Sequence, residues 1–263
     1  MQHHPHPRLS LEGEGTVRGA DGAGNTPSLR LGLNRIKGLS RDGALRIEAA
    51  REAAPFADVP DLARRARLEK RELDALAAAD ALAPLAGHRR HALWQALGVA
   101  DAGPLFAGTG FSERQPDLFA PSAGESVVAD YGSTGLSLRA HPLSLLREKL
   151  ADLKLMTVAE IQASGPGRIV RAVGIVTCRQ RPGTASGVTF ITLEDETGNL
   201  NVVVWKSLAE RYRRELLTAR LLAVYGKVEK AGPMGEVVHL IAGRLVDRTE
   251  LLGSLRTESR DFQ

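Results

Sequence analysis

The sequence predicts an α+β protein in several parts: a helical module, a linker, and a five-stranded β-barrel. Three observations predict this. Apolar residues in 29–98 recur at helical spacing in short runs. Those in 168–248 alternate with polar residues, the period of half-buried strands. Between them, residues 99–138 are rich in Gly, Pro, Ser and Ala with acids, a composition that builds little structure of its own.

Each part follows from its residues. Residues 1–28 hold His, Gly, Pro and Thr with almost no apolar periodicity and read as a disordered leader. The helical module opens with "LRLGLNRIKGLS" and "RDGALRIEAAREA", in which Leu45, Ala49 and Ala53 share a face and Pro55 ends the run. "DVPDLARRARL" follows, with Pro60 near its start. "LEKRELDALAAADAL" places Leu73, Leu76 and Ala77 on one face, and "GHRRHALWQALG" closes the module with Gly98 as a C-cap. Residues 99–138 form an acidic connector, and 139–167 a helical linker containing "PLSLLREKLADL" and "TVAEIQAS". Residues 168–248 contain five strand-like runs with an amphipathic helix, "SLAERYRRELL", between the third and fourth; Leu208, Tyr212 and Leu216 form its apolar stripe. Three strands, a helix and two strands is the order of an OB-fold. Residues 249–263 read as a polar C-terminal tail.

Composition narrows the function. The chain has 263 residues, 43% hydrophobic and 25% charged, which is globular. No apolar run approaches the ~20 residues that span a bilayer, so no membrane partner is expected. A lone cysteine, Cys178, excludes an internal disulfide and fits a reducing cytoplasm. Residues 29–98 hold 13 Lys and Arg against 9 Asp and Glu, and residues 168–248 hold 13 against 8. Two basic blocks thus flank an acidic connector and can meet phosphates at two places. Walker, dinucleotide, zinc and Gly-x-Ser-x-Gly patterns are all missing from the sequence. The acidic cluster Glu194–Glu196 sits beside Gly198 in a strand turn, where acids are ordinary turn residues. No catalytic residue, metal site or cofactor is expected in this chain.

Three stretches carry candidate binding chemistry. "IKGLS", residues 36–40, has the apolar-x-Gly-apolar pattern of a hairpin between helices. Backbone N–H groups there, with Lys37, Gly38 and Ser40, can hold a phosphate without reading sequence; an ordinary helix–helix turn is the competing reading. "QPDLF", Gln115–Phe119, is a peptide anchor. Gln115 would hydrogen-bond at a groove's mouth and Leu118 and Phe119 fill its pocket, with Asp117 between them; chance, or an apolar pair folding back on the barrel, competes. Finally, OB-folds bind single strands across strands 2 and 3 and between the 1–2 and 4–5 loops. Arg179 and Arg181 lead into the first loop, and Lys227 and Lys230 flank the second. Phe190 can stack on a base and Asn201 can hydrogen-bond a base edge, while Trp205 and Lys206 end strand 3. Phe190 could instead cap the barrel's open end, and Trp205 could pack beneath the following helix.

The order of helical hairpin, peptide anchor and OB-fold occurs in the bacterial C-family DNA polymerases. The sequence resembles the C-terminal region of the error-prone polymerases of that family, relatives of the polymerase III alpha subunit. The resemblance rests on "LRLGLNRIKGLS", "FADVPDLARRARLEKRELDALAAADAL", "GHRRHALW", "LRAHPLSLLR", "RQRPGTASGVTFITLEDETGNLNVVVW" and "HLIAGRLVD", within residues 29–248, and on the closing "SRDF". It implies a nucleotidyltransferase that extends DNA across lesions during damage-induced mutagenesis, with Mg²⁺ at palm aspartates outside the matched region. It implies DNA as partner, gripped at duplex phosphates and single-stranded template, together with damage-response accessory proteins and the sliding clamp at Gln115–Phe119. The expectation is a truncated frame or fragment, inactive by itself. The same region of a replicative alpha subunit, or a stand-alone single-stranded DNA or tRNA-binding OB-fold, are the alternatives.

Overall fold

The computed structural model describes residues 31–101, 118–184, 187–231, 237–255, 257 and 259–262; the expected leader lies outside them. Residues 33–263 form one compact unit. Its first part is helical: α1 (Arg41–Ala53), α2 (Val59–Arg65), α3 (Lys70–Ala78), α4 (Ala83–Ala86) and α5 (Arg89–Asp101). Local chemistry sets these limits. Ser40 and Asp58 accept backbone N–H bonds as N-caps of α1 and α2, and Pro60 occupies the first turn of α2. Glu69 and Glu72 form a reciprocal capping box at α3. Leu73, Leu76 and Ala77 are buried as the spacing predicts, and join Ile47, Val59, Leu62 and Ala92 in one core.

Two expectations fail in this module. The buried stripe of α1 is Gly43 and Ile47, with Ala50 half-buried; Leu45 is 52% exposed, and Ala49 and Ala53 are exposed. The reason is Gly43: a methyl group there would lie 2.2 Å from a carboxylate oxygen of Glu72. Only the bare glycine face can pack on α3, and Leu45, two residues on, turns outward. Gly98 is no cap either, because α5 continues to Asp101.

The connector is also more structured than its composition predicts. It contains α6 (Ala123–Thr134), opened by a Ser122–Glu125 capping box and closed at Gly135 in a left-handed conformation. The linker comes next as a 3-10 turn (Pro142–Leu146), α7 (Arg147–Asp152) and α8 (Val158–Ala163).

Strands β1 (Ile169–Gln180), β2 (Thr189–Asp195), β3 (Gly198–Val204), β4 (Leu221–Ala231) and β5 (Val237–Asp247) make a closed barrel. β1 pairs antiparallel with β2, β2 with β3, β5 with β4, and β4 with β1; β3 pairs parallel with β5. This is the five-stranded OB-fold. Ile191, Leu193, Leu200, Val202 and Val204 point inward and are buried, as their alternation predicts. The predicted helix after β3 breaks at Tyr212 into α9 (Lys206–Arg211) and α10 (Arg213–Thr218), yet Leu208, Tyr212 and Leu216 still pack on the barrel core.

A further core lies outside the barrel. Val173, Ile175, Leu221 and Ala223 face Val127, Leu143, Leu150 and Leu155 of the connector and linker. Leu252 and Leu255 of the C-terminal segment complete it. That segment is therefore not a bare polar tail: it forms a 3-10 turn (Thr249–Leu252) and a short strand, β6 (Arg260–Phe262), parallel to the end of β1.

Candidate nucleic-acid interface

The outer face of the β2–β3 ribbon is half-solvated. Phe190 stands opposite Val203, and Thr192 opposite Asn201. Phe190 is 38% exposed, and Asn201 is exposed beside it. Trp205 precedes α9 and is 54% exposed, so the following helix does not cover it. Arg181 and Lys206 are exposed and converge at the same end: a methyl group on Gly187 would touch Lys206 at 3.1 Å and Arg181 at 3.5 Å. Two aromatic rings and two cations thus lie at one end of the β2–β3 ribbon, with the Asn201 amide further along β3. That set can stack bases and neutralise phosphates together.

Other predicted site residues are placed differently. Arg179 is held inside the structure. Its Nε donates to the Leu216 carbonyl at 2.7 Å, one terminal nitrogen to Ser259 Oγ at 2.5 Å, and the other to the Ala219 carbonyl. It ties the end of α10 and the C-terminal segment to β1. Lys230 donates to the Gln162 carbonyl at 3.2 Å, while Lys227 is exposed on β4.

At the helical hairpin, Lys37 is exposed and Gly38 has φ +90°, so the turn forms as predicted. However, the Lys37 N–H donates to the Ser133 carbonyl of α6 at 2.8 Å. Ser40 accepts from Gly43 N–H at 2.9 Å and donates to Glu72 Oε1 at 2.5 Å. The Glu72 carboxylate already occupies the start of α1, where an incoming phosphate would sit. Burial pushes that carboxyl up, but hydrogen bonds from Ser40, the Glu69 N–H and Arg46 outweigh it and hold the group below its ordinary value. Ser40 thus caps α1, while Lys37 and Gly38 are exposed beside it.

Of the peptide anchor, Gln115 and Asp117 lie outside the described residues. Leu118 is half-buried and Phe119 is 86% exposed. Both are tied by their backbone to α5 and the residue before it. His88 Nε2 lies 3.0 Å from the Leu118 carbonyl, the Leu118 N–H donates to His91 Nε2 at 3.4 Å, and Arg90 donates to the Phe119 carbonyl at 3.0 Å. The two imidazoles stack with centroids 4.1 Å apart. Sequence reasoning missed this tether, although the His-x-x-His spacing on one helix face could have shown it.

The acidic turn Glu194–Glu196 does more than turn the chain. Asp195 is buried and accepts from the N–H groups of Val158, Thr197 and Gly198. Arg147 of α7 forks onto Glu196 at 2.6 and 2.7 Å and lies 3.5 Å from Asp195. Asp195 and Glu196 are thereby occupied and do not fit a Mg²⁺ site. Among the described residues, no group of three or more His, Cys, Asp or Glu is placed to hold a metal. Among them also, no helix is long and apolar enough to cross a membrane.

The helical module and the barrel each match a known family. Residues 9–92 match the family described as helix-hairpin-helix motif, and residues 167–247 the family described as OB-fold nucleic acid binding domain. The particular resemblance is to the error-prone DNA polymerases. The chain is 55% identical to that of Azoarcus sp. (strain BH72) over 91% of this chain and 22% of the relative. It is 54% identical to that of Ralstonia nicotianae over 92% and 22%, and 55% identical to that of Dechloromonas aromatica over 89% and 23%. It thus spans less than a quarter of the length of these relatives. Among solved structures, asparaginyl-tRNA synthetase from Pyrococcus horikoshii is 20% identical with a TM-score of 0.30, over 36% of this chain and 26% of that one.

Proposed function

We propose that this chain supplies the DNA-gripping region of an error-prone DNA polymerase acting in translesion synthesis. In this reading the barrel holds single-stranded template on the β2–β3 face, with Phe190 and Trp205 stacking on bases, Asn201 at a base edge, and Arg181, Lys206 and Lys227 at phosphates. The observation that carries the reading is the convergence of two exposed rings and two cations at one end of a barrel whose sequence matches nucleic-acid-binding OB-folds. Lys37 and Gly38 meet the duplex backbone. Leu118 and Phe119, with Gln115 and Asp117, form the anchor for the sliding clamp. The chain holds DNA but does not extend a primer unaided.

The test is Phe190→Ala, read by anisotropy with single-stranded DNA and with RNA of the same sequence. Affinity for DNA should fall by about 1–3 kcal/mol with the fold retained. Unchanged affinity would make the ring structural, and a preference for RNA would assign the barrel to recognition of the 2′-hydroxyl. Nucleotide incorporation by the purified chain would overturn its inactivity.

A further inference from the structure

A second set of side chains lies on the barrel's outer surface, away from the β2–β3 ribbon. Arg171 on β1, Tyr225 on β4 and Arg244 on β5 are direct cross-strand partners in one row. The two guanidinium carbons lie 5.4 and 5.5 Å from the centre of the Tyr225 ring, reached from the strand on either side. Both arginines are exposed, and neither pairs with a carboxylate among the described residues. A ring face orients a guanidinium and attracts it without neutralising its charge. The planar fork remains available to an outside anion, and forks of this shape match phosphate oxygens.

The row depends on an irregularity in β5. Tyr225 pairs with Arg244, but the next residue, Gly226, pairs with Ala242, so Gly243 is an extra residue. Leu240, Ala242 and Leu245 all belong to the barrel core. Without the extra residue, Arg244 would share the inner side with Ala242; the bulge turns it outward beside Tyr225. Gly226 permits the close approach, since a methyl group there would lie 2.3 Å from the Ile241 carbonyl oxygen.

The row also continues from the candidate interface. Phe190 pairs with Val203, Val203 with Ile241, Ile241 with Lys227, and Lys227 with Ile169. This outer track crosses all five strands and ends at Ile169, which is 83% exposed. The Arg244–Tyr225–Arg171 row runs beside its far half. On its other side Arg244 borders a cleft of about 600 Å³ whose lining includes Glu215 and Asp247. Arg214 also lines that cleft, so its charges balance, whereas on the opposite side the row runs beside exposed Lys227.

We propose that Arg171, Tyr225 and Arg244 form a second nucleic-acid contact. It takes the phosphodiester groups of a single strand that leaves the β2–β3 face and continues round the barrel. The proposal rests on the reading that the barrel holds a single strand. The probes are oligothymidylates of about 8 and about 20 nucleotides, within and beyond the reach of one OB-fold site. Arg171→Ala with Arg244→Ala should leave the short probe unaffected and weaken the long one about tenfold. The salt slope for the long probe should fall by about 1.4, the value for two single-strand phosphate contacts. Arg171→Lys with Arg244→Lys keeps the charge without the planar fork and should lie between. Equal affinity and salt slope for the long probe in wild type and the alanine pair would overturn the proposal. So would an equal loss on both lengths, or a loss confined to duplex DNA. Wild-type binding of the short probe separates the two readings: if the barrel does not bind it, the parent reading fails whatever the arginine pair does, whereas a bound short probe with no effect of the pair on the long one overturns this proposal alone.

Discussion

The barrel and the helical module hold themselves together by different means. The barrel closes on Leu193, Leu200, Leu240 and their neighbours, with every strand paired on both sides. The helices are short, and charge joins them to the connector. Arg89 of α5 is buried against Asp130 of α6 at 2.5 Å and also donates to the Ala78 and Ser126 carbonyls. Arg139 reaches both Asp80 and Asp130, and Ser137 donates to Asp130 at 2.8 Å. A barrel closes its own interior, although the outer faces of β1 and β4 still pack on the connector and linker, whereas a cluster of helices one to four turns long leaves carbonyls and faces that a neighbour must satisfy. The connector thus joins the helical module through charge and the barrel through Val127.

Breaking that seam should have the largest effect. Asp130→Ala strands the buried Arg89 and should cost about 3–5 kcal/mol by urea unfolding, while Arg89→Met with Asp130→Leu should recover most of it. A cost below about 1 kcal/mol would show that the seam contributes little. Leu193→Ala in the barrel should cost about 3 kcal/mol and be insensitive to salt, because it removes packing alone. Glu72→Ala removes a cap and the partner of Arg46, and should cost about 2 kcal/mol. If the vacated start of α1 then binds inorganic phosphate, the carboxylate was filling an anion site.

The smallest effect concerns pH. His141 caps the turn at Pro142 by accepting the Leu143 N–H, and burial pushes its imidazole below the ordinary 6.5, against the pull of Glu194, Glu196 and Asp195. A histidine depressed in the folded state stabilises fully above its unfolded value, and that stability is lost as pH falls through the folded value. Melting temperature should therefore fall from pH 7 to 5 more steeply in wild type than in His141→Asn, which keeps an acceptor without the titration. Parallel curves would remove His141 from the acid response.

The barrel was legible because alternation in 168–248 reports burial directly: residues such as Ile191 and Val202 have one apolar face to fill. The helical faces were legible only where a single apolar stripe existed. In α1 the packing residue is Gly43, whose role lies in what it lacks, so Leu45 was misread. α6 was hidden by Gly, Ser and Ala, yet Ser122 and Glu125 carry the Ser-x-x-Glu spacing of a helix start. At the candidate site, the exposure of Phe190, Asn201, Arg181 and Lys206 was legible from strand position and face. The internal bonds of Arg179 and Ser40 were not legible because their partners, the carbonyls of Leu216 and Ala219 and the carboxylate of Glu72, are 37, 40 and 32 residues away. Pattern within a strand cannot reveal partners at such separations.

The backbone tether at Leu118 has a mechanical consequence. A segment pinned by its backbone cannot slide or swivel freely, so Phe119 is presented at a fixed bearing relative to α5. The same helix carries Arg89 into the seam with α6. A pull on Phe119 would therefore pass through the stacked histidines into the centre of the helical module, so that the segment behaves less like a line and more like a bracket.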